Sequence, residues 1–193
     1  MSKGRLEAFS DGVLAIIITI MVLEMKVPHD ADLAALRGVL PIFLSYILSF
    51  VYVGIYWNNY HHFMQAAERV DGRVLWANLN LLFWISLFPF STAWMGENHF
   101  APVPTALYGA VLLLAALAWL PFQHALIAVN GGKDAALAHA IGRRDWKGWL
   151  SPVLYAIGIP MAFVATWISD LLYVAVALMW LVPDRRVEAE VAQ

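Results

Sequence analysis

Residues 5–26 read RLEAFSDGVLAIIITIMVLEMK. From Val13 to Leu23 only Thr19 carries a polar side chain, with Ser10-Asp11 before the run and Glu24 after it. An apolar run of roughly 20 residues is what a helix needs to cross the hydrocarbon of a bilayer. Two questions follow: whether other such runs exist, and why this one keeps an acid at each end.

Others do exist. The 193 residues are 62% hydrophobic and only 13% charged, where a soluble domain carries about 25% charge. Candidate spans lie at about 6–25, 38–63, 74–95, 105–129, 149–167 and 169–182. The pattern predicts an all-α membrane protein with six transmembrane helices, forming a single six-span membrane domain over 1–193. Gly96-Glu97-Asn98 reads as a stop, and Pro102 and Pro104 as a start. Ser169-Asp170 reads as a tight turn with a helix N-cap, because 149–182 is too long for one span at about 1.5 Å per residue. Asp11 interrupts the first apolar run and no small-x-small site follows, so it reads as a retained span, not a cleaved signal.

Lysine and arginine orient the bundle. With six spans, Lys3, Arg5, Arg69, Arg73, Lys133, Arg143, Arg144, Lys147, Arg185 and Arg186 share one side, leaving Lys26 and Arg37 on the other. That bias predicts both termini cytoplasmic. The 97–104 and 168–170 connections hold no basic residue, as outer loops should. The one long cytoplasmic loop, 130–148, contains DAALAHAIG, which reads as a short surface helix ended by Gly142. A net charge of −2 says nothing about nucleic acid, and no basic cluster is dense enough to suggest such a partner, so none is expected. The chain has no cysteine, which excludes disulfides, thiolate metal sites and cysteine nucleophiles.

Orientation places two polar clusters at one depth. Arg5, Ser10 and Asp11 begin the first span in the cytoplasmic leaflet, and YWNNYHHF (56–63) ends the second span there. An aspartate facing lipid costs about 2.5–3.5 kcal/mol at mid-membrane and less near the interface. Hydrogen bonds from Trp57, Asn58, Asn59, His61 or His62 would offset that cost. The plain reading is an interhelical network of Arg5, Ser10, Asp11, Trp57, Asn58, His61 and His62 that locks two helices together; the sharper one is a proton or ion relay. A metal site on His61-His62 is disfavoured, because adjacent helical side chains point about 100° apart and no HExxH spacing exists.

At about 100° per residue, Arg5, Phe9, Gly12, Ile16, Thr19 or Ile20, and Leu23 form a stripe down the first helix. The spacing is that of helices packed around an axis. Ser10 and Asp11 lie off the stripe, as does Ile18. The stripe itself fits ordinary packing or a pore. The Thr19 hydroxyl can bond the carbonyl one turn earlier and need no other partner.

Arg5-x-x-x-Phe9-Ser10-Asp11, followed by Gly12-x-x-Ala15-Ile16-x-x-Thr19 and Leu23-Glu24, resembles the first helix of the transmembrane protein 175 family of potassium channels. The match covers 5–24, with support from Trp57 and the His61-His62 region. The resemblance implies a homotetramer in a bacterial-type cell membrane, with first helices lining a central pore for monovalent cations and no cofactor beyond permeant potassium. It implies a constriction at Ile16, with hydrophobic layers at Ile20 and Leu23, where the family often has leucine at the Ile20 position. Selectivity would involve Ile16 and Thr19, replacing a carbonyl filter; no TVGYG occurs in the chain. Glu24 would sit at the outer mouth, either concentrating cations or merely reaching water or pairing with Lys26. The competing functions are a proton or non-selective monovalent cation channel and, from another class, an intramembrane enzyme using Asp11 and His61. No serine motif or metal-ligand set supports the enzyme, and no inverted repeat supports a secondary transporter.

Overall fold

The computed structural model describes residues 2–132 and 146–181. These form seven α-helices: α1 (Lys3–Leu23), α2 (Ala35–Ala66), α3 (Gly72–Ile85), α4 (Phe88–Glu97), α5 (Pro102–Val129), α6 (Trp146–Met161) and α7 (Thr166–Leu181). No strand occurs among the described residues. Taking α3 and α4 as one segment, four stretches are long and apolar enough to cross a membrane. The surface helix expected at 134–142 and the tail after Pro183 lie outside the described residues.

Two boundaries differ from the sequence expectation, and proline explains the first. The span expected at 74–95 is two helices, interrupted at Ser86-Leu87. Pro89 has no amide hydrogen for the Ile85 carbonyl, and its ring crowds that same oxygen, so α3 ends at Ile85. Pro89 is well placed at the start of α4, where a missing amide costs nothing. The second difference is the turn expected at Ser169-Asp170. The chain does divide there into two helices, but the break falls at Ala162–Ala165, just after Pro160. Ser169 and Asp170 lie inside α7, and the buried Ser169 hydroxyl donates to the Gly158 carbonyl at 2.6 Å. That hydroxyl thus caps the end of α6 and not the start of α7.

α5 is the centre of the bundle. It packs on α3, α4, α6 and α7, whereas the main contacts of α1 are with α2, α3 and α4. In lipid, helices gain little from hiding apolar surface, so close approach and hydrogen bonds take over. Both are visible here. The Tyr173 ring lies where β-carbons on Gly109 and Gly158 would stand, so glycine at those two positions lets α7 meet α5 and α6. Ser49 joins α2 to Thr92 of α4 at 2.6 Å and to Tyr108 of α5 at 2.9 Å. Tyr52 donates to the Tyr173 carbonyl at 2.6 Å.

At the far end of α4 the chain turns sharply. Phe100 N–H donates to Met95 O at 3.0 Å and His99 N–H to Gly96 O at 3.2 Å. This paired bonding is the Schellman closure of a helix. It holds His99 and Phe100 at φ 51° and 58°, a region side chains rarely adopt.

Candidate functional site: the first helix and its flanks

α1 has two faces. Leu6, Ser10, Leu14, Ile17 and Met21 are buried against the bundle. The opposite face carries the expected stripe, exposed in the protomer: Phe9 is 50% exposed, Ile16 59%, Ile20 40% and Leu23 75%. Arg5, Gly12, Thr19 and Glu24 are not buried either, while Ile18 is half-buried against the core. The Thr19 hydroxyl donates to the Ala15 carbonyl at 2.9 Å, so its hydrogen is committed to its own helix and its lone pairs face outward.

Of the seven residues expected in one polar network, Ser10 enters one group, Asp11, Trp57 and His61 form another, and Arg5, Asn58 and His62 join neither. Ser10 and Asp11 are neighbours on a helix, about 100° apart, and cannot address one partner together. Ser10 is fully buried, its hydroxyl 3.0 Å from the Leu6 carbonyl and 2.9 Å from the Tyr60 hydroxyl. It also accepts from Asn78 Nδ2 at 3.0 Å. One hydrogen and two lone pairs can serve all three contacts, so this knot ties α1 to α2 and α3. Asp11 lies outside it, accepting from Trp57 Nε1 at 3.1 Å. The His61 ring stacks on Trp57 with centroids 5.8 Å apart. Arg5 and Asn58 are exposed and make no side-chain hydrogen bond among the described residues. The buried Nδ1 of His62 has no hydrogen-bond partner among the described residues.

Tyr60 and Asn78 complete the buried knot without standing out in the sequence pattern. Tyr60 sits within YWNNYHHF, three residues after Trp57 and on the buried side of α2. Asn78 is one of two amides in the apolar run of α3 and the buried one, Asn80 being exposed, and an amide buried at that depth is itself a sign of a partner.

At the other end of α1, Lys26 pairs with Glu97 and not with Glu24, Nζ to Oε1 2.8 Å. The hydrogen bond and the negative charge of Glu97 raise the Lys26 pKa above its ordinary value. Glu24 has no ion pair among the described residues. Together with Ile20, Phe90, Trp94 and Glu97 it borders a cleft of about 420 Å³ between α1 and α4. No group of three or more metal-ligating side chains occurs among the described residues.

The family model described as endosomal/lysosomal potassium channel TMEM175 matches residues 5–89, which take in α1, α2, α3 and the start of α4. A protein of Chryseobacterium sp. (strain P1-3) named as a potassium channel is 51% identical over 188 residues, 97% of either chain. A human protein named endosomal/lysosomal proton channel TMEM175 is 36% identical over 96 residues, 43% of this chain and 19% of its own length. The crystal structure of a lysosomal potassium-selective channel TMEM175 homologue from Chamaesiphon minutus superposes with a TM-score of 0.78 at 28% identity. That superposition covers 93% of this chain and 96% of the other. These relatives are ion channels and not enzymes, which removes the intramembrane-enzyme reading. With identity of this level running through nearly its whole length, the chain belongs to the TMEM175 family.

Proposed function

We propose that the chain is one subunit of a homotetrameric, potassium-preferring cation channel in a bacterial-type cell membrane. In this reading residues 1–193 form one six-span domain: α1, α2, α3 with α4, α5, α6 and α7 each cross the bilayer, and both termini are cytoplasmic. Four copies of α1 line the conduction path. The observation that carries the proposal is the exposed apolar stripe of α1. Ile16, Ile20 and Leu23 face away from their own bundle while the opposite face of the same helix is buried.

Ile16 sets the narrowest ring, with Ile20 and Leu23 forming wider apolar layers beyond it. Isoleucine is stiff about its first torsion, so the ring keeps its shape. An apolar ring resists wetting and therefore gates conduction. Thr19 presents hydroxyl lone pairs just past the ring, and Glu24 raises the local cation concentration at the outer mouth. The Asp11–Trp57–His61 surface lies beside the stripe and meets the neighbouring subunit.

Liposome flux measured separately for potassium, sodium and protons tests the reading. Ile16→Asn wets the constriction, raises flux several-fold and narrows the potassium–sodium difference. Ile18→Ala, off the stripe, leaves both unchanged. If the two variants behave alike, α1 does not line the path. Proton flux without potassium flux favours the activity named for the human relative.

A further inference from the structure

A groove runs down the outside of the bundle between α2 and α7. Its volume is about 490 Å³, and it is bordered by Leu44 and Val51 of α2 and by Ala177 and Leu181 of α7. Phe100 and Asp170 also border it. Both belong to one end of the bundle, because Phe100 precedes α5, Asp170 is near the start of α7, and Tyr173 of α7 reaches the Thr105 carbonyl at the start of α5. From Asp170 to Leu181 α7 rises about 16 Å, close to half the roughly 30 Å hydrocarbon thickness. The groove is thus one leaflet long, apolar along its length and polar at one end.

No cation pairs with the polar end among the described residues. Asp170 is half-buried and has no ion pair or side-chain hydrogen bond among the described residues. The adjacent connections, 97–104 and 162–168, contain no lysine or arginine. A carboxylate at the edge of hydrocarbon needs a cation or a donor. Phe100, kept at φ 58° by its bond to Met95, supplies an aromatic ring at the same end. A carboxylate and an aromatic ring together suit an ammonium group.

We propose that this groove binds one phosphatidylethanolamine molecule. An acyl chain lies along Leu44, Val51, Ala177 and Leu181, and the headgroup ammonium sits at Asp170 beside Phe100. The assignment requires only that α2 and α7 lie in a bilayer; conduction plays no part in it. Native mass spectrometry of the full chain in detergent tests it, with phosphatidylethanolamine and phosphatidylglycerol of matched acyl chains as probes. The wild type retains phosphatidylethanolamine preferentially. Asp170→Asn weakens that retention roughly tenfold and leaves phosphatidylglycerol unchanged. Phe100→Leu gives a smaller loss in the same direction and serves if Asp170→Asn does not fold. Leu178→Trp, on the exposed wall, lowers retention of both lipids. Equal retention of the two lipids by the wild type, or no effect of either headgroup-end variant, overturns the proposal. So does a disulfide between two copies carrying Leu178→Cys in this otherwise cysteine-free chain, since a second copy would then fill the groove.

Discussion

α1 and α5 are equally greasy helices with opposite surroundings. Half of the most apolar stretch of α5 is buried inside the bundle, against 28% of that of α1. α5 packs against four helices and leaves a narrow edge exposed at Leu117, Pro121 and His124, while α1 turns one face inward and leaves the other uncovered. Apolar composition says that both helices sit in a membrane, because lipid and protein interior accept the same side chains. It does not say which surface meets lipid, protein or an ion path. That distinction rests on small residues, hydroxyls and amides, which mark where helices touch.

The sharpest way to break the contrast is to place the same polar residue on both helices. Leu112→Asn in α5 buries an amide where every neighbour is committed, costing about 3–5 kcal/mol. Thermal melting in detergent should register it as loss of most folded protein, whereas Ile16→Asn melts near the wild type. Equal melting would mean that the uncovered face of α1 is as tightly packed as the centre of α5.

Gly109→Ala comes next. The new methyl group would overlap the Tyr173 hydroxyl, and overpacking of this kind costs about 2–3 kcal/mol. Tyr173→Phe removes the colliding oxygen, so the double variant should recover part of the melting temperature lost by Gly109→Ala. Additive losses would refute the keyed contact.

A smaller effect separates the two faces of α1 itself. Ser10→Ala strips the shared partner from Tyr60 and Asn78 and should cost about 1–2 kcal/mol in the protomer. Asp11→Ala should leave protomer melting nearly unchanged and instead lower the yield of tetramer on size exclusion. The reverse pattern would move the interface from Asp11 to Ser10.

The smallest expected change lies outside both helices, in the turn after α4. His99→Gly relieves a side chain held at φ 51° and should stabilise by about 0.5 kcal/mol or less. A fall in melting temperature would mean that the imidazole makes a contact worth more than the relief.

The long apolar stretches from α1 to α5 were legible, because runs of 20 or more apolar residues leave little choice. The interruption at Ser86-Leu87 was also written there, in Pro89 four residues after Ile85, but hydropathy averages across such a break. Ser169 resembles an N-cap since serine favours that position. Its hydroxyl instead serves the Gly158 carbonyl, a partner eleven residues away that only the folded turn brings close. At the site, shared depth left Trp57, Asn58, Asn59, His61 and His62 all open as partners of Asp11, and Trp57 is the donor; the separation of Ser10 from Asp11 follows from helical periodicity alone. Periodicity does not reach Tyr60 and Asn78, because choosing them requires knowing which face of α2 and α3 meets α1.

The interruption between α3 and α4 bears on how the subunit fits membranes of different thickness. A continuous helix over Gly72–Glu97, 26 residues, would be about 39 Å long, longer than the roughly 30 Å hydrocarbon. The 21 residues of α1 rise about 31 Å and match it closely. With its bonding ladder interrupted, the α3–α4 segment can take up the surplus as two rods of unequal tilt. A thicker bilayer would then be met by straightening this segment, while α1 keeps its length.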